Sequence, residues 1–342
     1  MARIVFVTQH VDPGHPALAA TVPKLAALAR RVEVSVLAGG AERDALPSGV
    51  RVHLFAARSK TGRGLRFEAA LAQELTRRPR PAAIVAHMCP IYAVLAAPLA
   101  RPLGVPVLLW YTHWHAGPTL RAAERLSNAV LSVDRRSFPL VSRKVRAIGH
   151  GIDLTEFSCM ERVADGPLRV LALGRYSPAK GLRAILEAVS ETEVRLRVHG
   201  PALTDVEQSH RRELERLADE LGLGERARLG GAVPRSQVPS LLAESDALVN
   251  NMRAGSADKV VYEAAASCLP VLASSPVFSD LLPQELRFAQ DDATGLAERL
   301  RAFAGLDAAS RAALGHELQR RVAAGHSVER WADGVLAAAG AR

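Results

Sequence analysis

LALGRYSPAKGL, residues 171–182, joins a strand to a helix through a cationic turn. The apolar run 170–173 stops at Gly174, Pro178 marks a polar turn, and beyond Lys180 the residues Leu182, Ile185, Leu186 and Val189 recur at helical spacing. Gly174 permits a sharp backbone turn at the strand end, and Gly181 lets a neighbour approach the start of the helix. Arg175 and Lys180 bring a planar guanidinium fork and a compact ammonium to one mouth, a pair suited to holding a pyrophosphate as it departs. The same residues also fit an ordinary strand–helix turn with two solvated cations.

Outward from this stretch, the pattern repeats in both directions. Upstream, strands are expected at 4–8, 32–37, 50–55, 82–87, 107–111, 129–133 and 145–148, with helices at 65–75, 91–103 and 120–126 between them. Downstream, strands at 168–173, 195–198, 227–229, 247–249 and 271–273 alternate with helical stretches such as 207–221 and 259–267. Near-continuous apolar strands alternating with helices mean parallel sheets covered on both faces. The expected fold class is therefore α/β, with two doubly wound, Rossmann-like domains facing across a cleft: residues 1–152, a linker at 153–167, residues 168–326, and a terminal helix at 327–342. In such sheets ligands sit beyond the carboxyl ends of the strands, so the loops that follow strands are where function is sought.

Composition narrows the classes. With 342 residues and 49% hydrophobic content the chain has material for two cores. It has no apolar run of about 20 residues and no signal-peptide pattern at MARIVFVTQH, so a cytoplasmic location is expected. Cys89, Cys159 and Cys268 are far apart, with no CxxC or Cys/His ligand spacing; they read as reduced packing residues rather than a disulfide framework or a zinc site. Through residue 150 there are 21 Lys and Arg against 8 Asp and Glu, a balance of +13, whereas the remainder balances at −4. The basic half favours an anionic acceptor or an acidic membrane surface, although scattered Arg also serves simple solvation. Aromatics are 4% and no basic stretch carries interleaved stacking residues, which argues against nucleic acid.

The loop after the first strand, QHVDPGHPAL, lacks GxGxxG and so disfavours a dinucleotide enzyme. It leaves Gly14 and His15 as candidates to approach a ligand. His87, His113 and His115 sit at strand ends on one side of the first sheet and are candidates to line the cleft. Packed or surface roles for each are equally ordinary. No carboxylate stands at metal-ligand spacing beside them, so no metal is expected.

Further motifs carry a resemblance. AIGHGIDLTEF (147–157) resembles the NG[VI]D-xxxF segment that links the two domains of GT-B glycosyltransferases of the large retaining family 4 (glycosyl transferases group 1), with His150 where Asn is common. Gly174, Arg175, Lys180 and Gly181 match that family's GR-xxx-KG. His199 and Gly200 after RLRV resemble its strand ending in Gly, and 226–249 its V-x-F-x-G-x-V … L-x-x-A-D-V run. NMRAGSADKVVYEAAASCLPVLAS (251–274) resembles the segment with two Glu separated by seven residues. Glu263 matches the second Glu. The first is replaced by Gly255, and the nearest carboxylate is Asp258 beside Lys259.

The resemblance spans nearly the whole chain in order and is weakest over the first 80 residues. It implies a GT-B enzyme that moves a sugar from a nucleoside-diphosphate-sugar to an acceptor, with retention, without a metal or any bound cofactor, and through closure of two domains. Arg175 and Lys180 would stabilise the leaving diphosphate, and His113 would face the sugar. Gly174, Gly181, Gly200, Asp258, Lys259, Glu263 and Gly14 would meet the donor, with Glu263 on the ribose hydroxyls. On spacing alone, Asp258 also fits a helix cap. His15, His87 and His115 would lie on the acceptor side. The implied partners are the nucleotide-sugar and an anionic or lipid-linked acceptor, with peripheral membrane contact and no nucleic acid. The terminal helix, with Val328, Trp331, Val335 and Leu336 on one face, resembles the one that crosses back to the first domain. The alternatives are a GT-B nucleotide-sugar epimerase or phosphorylase, and a non-catalytic sugar-nucleotide-binding protein, the last motivated by Gly255.

Overall fold

Val, Ile, Leu and Ala runs buried on both faces form the central strands, as parallel sheets require, while short edge strands such as 51–54 and 145–147 are partly exposed. A computed structural model describes residues 2–15, 18–160 and 166–341, so residues 161–165 of the expected linker lie outside the described residues. The chain divides into two units, residues 1–151 with 326–342, and residues 152–325.

In the first unit β1 (Arg3–Val11), β2 (Glu33–Ala41), β3 (Arg51–Leu54), β4 (Ala83–His87), β5 (Val107–Trp110), β6 (Ala129–Ser132) and β7 (Val145–Ala147) form one parallel sheet in the order β3-β2-β1-β4-β5-β6-β7. Helices α1 (Thr21–Ala29), α2 (Lys60–Thr76), α3 (Pro90–Ala100) and α4 (Pro118–Leu126) fill the crossovers. Phe55, Phe67 and Tyr92 meet with ring centroids 4.7–5.7 Å apart inside one core cluster.

In the second unit β8 (Arg169–Leu173), β9 (Arg195–His199), β10 (Ala227–Leu229), β11 (Ala247–Asn250) and β12 (Val271–Ala273) form a parallel sheet in the order β10-β9-β8-β11-β12. Its helices are α5 (Leu182–Ser190), α6 (Asp205–Glu220), α7 (Val238–Ala243), α8 (Lys259–Ala266), α9 (Ala293–Ala304) and α10 (Ala308–His326). The strand order reverses between β8 and β11. That switch point is where an open α/β sheet leaves a crevice at its carboxyl edge.

The last helix, α11 (Val328–Ala339), starts at Ser327, whose hydroxyl accepts from the Arg330 N–H at 3.2 Å, and belongs to the first unit. It packs on α1 and buries Trp331 against Phe6 and Trp110. Gly334 permits the close approach: a Cβ there would stand 2.6 Å from the Ile148 side chain.

Two features differ from the sequence reading. The helix of residues 182–190 begins at Leu182, not at Lys180, because residues 178–180 form a separate 3-10 turn closed by Gly181 at φ 54°. The second sheet's strands end where expected to within a residue or so, whereas β1 runs on to Val11, three residues past the apolar run, because its ladder with β2 continues through His10 and Val11.

Candidate functional site

The expected donor residues of the second unit gather at the carboxyl edge of β8, β9 and β11. Gly174 follows β8 at φ 143°, and its N–H donates to the His199 carbonyl at 2.9 Å. A Cβ on Gly200 would fall 1.9 Å from the Gly174 carbonyl oxygen, so the two strand ends press together through glycine alone. The turn that follows is pinned by residues outside the quoted stretch. Asn251 Nδ2 donates to the Gly181 carbonyl at 2.9 Å and to Asp291 at 3.0 Å, and the Asp291 N–H returns to Asn251 Oδ1 at 3.0 Å. Gly181 is required here, because a Cβ on it would lie 2.2 Å from Asn251.

Inside this frame the cations are already engaged. Lys180 forms an ion pair and hydrogen bond with Asp258, whose carboxylate also accepts from Asn250 Nδ2 at 2.8 Å. Burial alone pushes the Asp258 carboxyl up, but the Lys180 ammonium, with help from Asn250 and Lys259, outweighs it and holds the group below the ordinary carboxylate range. Asp258 occupies the N-cap position of α8 yet makes no side-chain cap bond, so its expected capping role is corrected: the carboxylate has turned to Lys180 instead. Arg175, 55% exposed, reaches Glu207 at 3.2 Å, and Glu207 is fixed in turn by the Leu203 N–H at 2.7 Å.

Glu263, on α8, is buried between Arg235 and Lys259, the latter at 3.2 Å. Arg235 also holds Glu156 at 2.9 Å and lies over Phe157. Burial lowers the Arg235 guanidinium's affinity for its proton, but Glu263 and Glu156 more than compensate and fix its charge. Arg175, Lys180 and Lys259 thus line one strand edge, each held by a carboxylate that an incoming anion would have to share or displace. A cavity of about 470 Å³ lined by Leu168, Thr192, Val194 and Arg301 opens at the opposite, amino edge of the same sheet and is separate from this cluster.

In the first unit the candidates disperse. His113 and His115 are exposed in the loop after β5; the His115 N–H donates to His113 Nδ1 at 3.1 Å, and the Tyr111 hydroxyl to the His115 carbonyl at 2.9 Å. Trp114 stacks on His113 with centroids 5.2 Å apart. The Gly14 N–H donates to Asp12, while His15 stacks on His10 and accepts from the Leu18 N–H at 3.0 Å. His87 corrects the expectation. It is 4% exposed, stacked between Phe6 and Trp110 inside the sheet, and burial, followed by the nearby Lys24 charge, pushes its pKa well below the ordinary histidine value. The parallel strand turns this side chain inward, out of reach of an acceptor.

Sequence reasoning missed Glu207, Arg235, Glu156, Asn250, Asn251 and Asp291. Glu207 and Arg235 sit in loop-to-helix segments with no motif, and only their placement near the ends of β9 and β10 marks them. Asn250 ends β11 and Asn251 follows it, a strand-end position that was a legible signal. The cysteines also need correction. Cys159 and Cys268, 109 residues apart, form a disulfide, and His316 Nδ1 lies 3.2 Å from Cys268 Sγ. The three ligand atoms fall within 4.8 Å of one another, a cluster that linear spacing hides because the fold assembles it from three segments.

Residues 159–281 match the family profile "Glycosyl transferases group 1". HepE of Anabaena, solved with UDP and glucose, superimposes with a TM-score of 0.77 at 17% identity, over 98% of this chain and 99% of that one. Sucrose-phosphate synthase of Thermosynechococcus elongatus gives 0.77 at 18% identity, over 98% and 97%. An E. coli structure described as trehalose-6-phosphate bound with UDP-2-fluoro glucose gives 0.73 at 12%, over 99% of both chains. No match was found among curated proteins. The fold is GT-B, two Rossmann-like α/β units, and the second unit carries the group 1 resemblance.

Proposed function

We propose that the protein is a glycosyltransferase that moves a sugar from a nucleoside-diphosphate-sugar to an acceptor. The observation that carries this reading is the gathering of Arg175, Lys180, Lys259 and Glu263 at the switch point between β8 and β11. Arg175 and Lys180 exchange their carboxylate partners for diphosphate oxygens and stabilise the charge that grows as the glycosidic bond to phosphate breaks. The first N–H groups of α8 add to that field. Glu263 accepts from the ribose hydroxyls, with Arg235 fixing its orientation. Three fixed cations supply the charge neutralisation that a diphosphate leaving group needs, which supports transfer without a metal. Retention follows the same-face departure and attack that the family resemblance implies. His113 faces the sugar; His15 and His115 stand on the acceptor side. The acceptor is anionic or lipid-linked, in keeping with the basic first 150 residues.

The decisive experiment pairs thermal-shift screening against UDP, GDP, ADP and their common sugars with release of nucleoside diphosphate in the presence and absence of acceptors. UDP-sugars come first, because HepE was solved with UDP. A shift with one nucleotide and acceptor-dependent release support transfer; no nucleotide response removes the reading. A second reading, a non-transferring sugar-nucleotide protein, is favoured by Gly255. Its φ of 84° lies in the left-handed region, which glycine adopts without strain, and the position offers no carboxylate. Tight donor binding with no release across acceptors supports that reading instead.

A further inference from the structure

Cys268 follows the C-terminus of α8 at φ 57°, a conformation unusual for a side-chain-bearing residue. Its carbonyl presses on α10, where a Cβ on Gly315 would fall 2.1 Å from that oxygen. The next residue on α10, His316, places Nδ1 3.2 Å from Cys268 Sγ and 4.0 Å from Cys159 Sγ. The two halves of the disulfide differ in access: Cys268 is 5% exposed, whereas Cys159 is on the surface. Exchange is governed by which sulfur an attacking thiolate reaches and by how readily the other leaves, and a neighbouring imidazole favours a departing thiolate.

We propose that Cys159, Cys268 and His316 form a thiol–disulfide exchange site for low-molecular-weight thiols. A thiol gives up its proton to solvent and attacks the exposed Sγ of Cys159 as the thiolate, the protein S–S bond breaks, and its electron pair leaves on Cys268 Sγ, which takes a proton from His316; His316 then recovers a proton from solvent. A second thiol attacks the mixed disulfide and releases Cys159. Two thiols have then been oxidised to one external disulfide, and the protein bond has been reduced to two thiols. Oxidation of the pair by an external disulfide runs the same steps backwards. His316 is a catalytic residue in this scheme, because its Nδ1 stands 3.2 Å from the sulfur that leaves. Cys89 is a built-in control: it is buried, and burial pushes its thiol up to about 12, so it stays unreactive.

The test uses the intact protein isolated without reductant and reduced glutathione as the probe. Samples are quenched and the remaining thiols blocked with excess N-ethylmaleimide at mildly acidic pH, and peptides are mapped by mass spectrometry. Glutathione is expected on Cys159 and the maleimide adduct on Cys268, with Cys89 unlabelled. His316→Gln is expected to slow opening on the order of tenfold while the melting temperature of the oxidised protein stays unchanged. His316→Asn gives the same comparison if the Gln variant fails to fold. Three results would each overturn the proposal: a bond that opens only in denaturant, glutathione on Cys268, or two free thiols with bound zinc in the protein as isolated.

Discussion

Lys180 and Asp258 stand 78 residues apart in sequence and share a proton-bearing contact in the fold. The spacing of Gly174, Arg175, Lys180 and Gly181 made the cations legible, because a strand-ending glycine and a polar turn fix where both side chains emerge. The carboxylate that restrains Lys180 was legible only as a residue type. Whether an acid before a helix turns to its own N–H groups or to a distant ammonium is decided by tertiary packing, here by Asn250 and the end of β11. The carboxylate holds Lys180 until a diphosphate arrives, and it opposes the ligand's charge afterwards. Asp258→Asn is therefore expected to tighten nucleoside diphosphate binding by about tenfold, or about 1.4 kcal/mol, while lowering folding stability by about 1 kcal/mol. Calorimetric titration and thermal melting check both signs. A loss of affinity would mean that Asp258 itself holds the ligand.

At the scale of elements, strands were legible because parallel strands buried on both faces read as continuous apolar runs, and helices because their apolar faces recur at helical spacing. What packs on a loop was not. Asn251 and Asp291 clamp Gly181 from separate loops, and Lys144, one of the cations counted in the +13 balance, donates to the carbonyls of Glu124, Arg125 and Ser127 at 2.8–3.0 Å and closes the end of α4. The disulfide was invisible for the same reason: its halves meet only when α8 and the segment after Phe157 are in place. It closes a loop across a sequence separation of 109 residues. In the chain-entropy account, cross-links of that span restrict the unfolded chain by about 4 kcal/mol. Reduction is thus expected to lower the melting of residues 152–325 by roughly 10 °C. Scanning calorimetry of oxidised protein, reduced protein and a Cys159→Ser, Cys268→Ser double variant checks this; coincident melts would show that the link adds nothing.

At the scale of the whole molecule, the chain's charge asymmetry and the neutral histidines of the first unit set its response to salt and acid. The +13 balance through residue 150 was legible by counting, and its placement on the proposed acceptor side predicts a salt effect. Raising ionic strength from 0.01 M to 0.15 M shortens the screening length from about 30 Å to about 8 Å, so the acceptor KM should rise steeply while donor Kd changes less. A salt-insensitive acceptor KM would make the basic half a matter of composition. Acid acts on His87 and His326. Burial is the main cause for both, lowering His87 well below its ordinary value and His326 to about 4. Because their folded pKa values are depressed, protons bind the unfolded chain first. Stability is therefore full above about 6.5 and falls as pH drops toward 4, by up to about 1.4 kcal/mol per pH unit for each group. Denaturant titrations at pH 7 and pH 5 should show this loss, and His87→Phe, which keeps the stacking between Phe6 and Trp110, should reduce it by about one group's share.

Calorimetric titration of UDP, GDP and ADP into the wild type, Arg175→Ala and Lys180→Ala tests the proposed donor site most directly, with turnover of the matching nucleotide-sugar followed in parallel. One nucleotide is expected to bind the wild type, and each substitution to weaken binding and slow turnover on the order of a hundredfold with little change in melting temperature. Absence of nucleotide binding, or variants that bind and turn over like the wild type, would contradict the donor-site assignment.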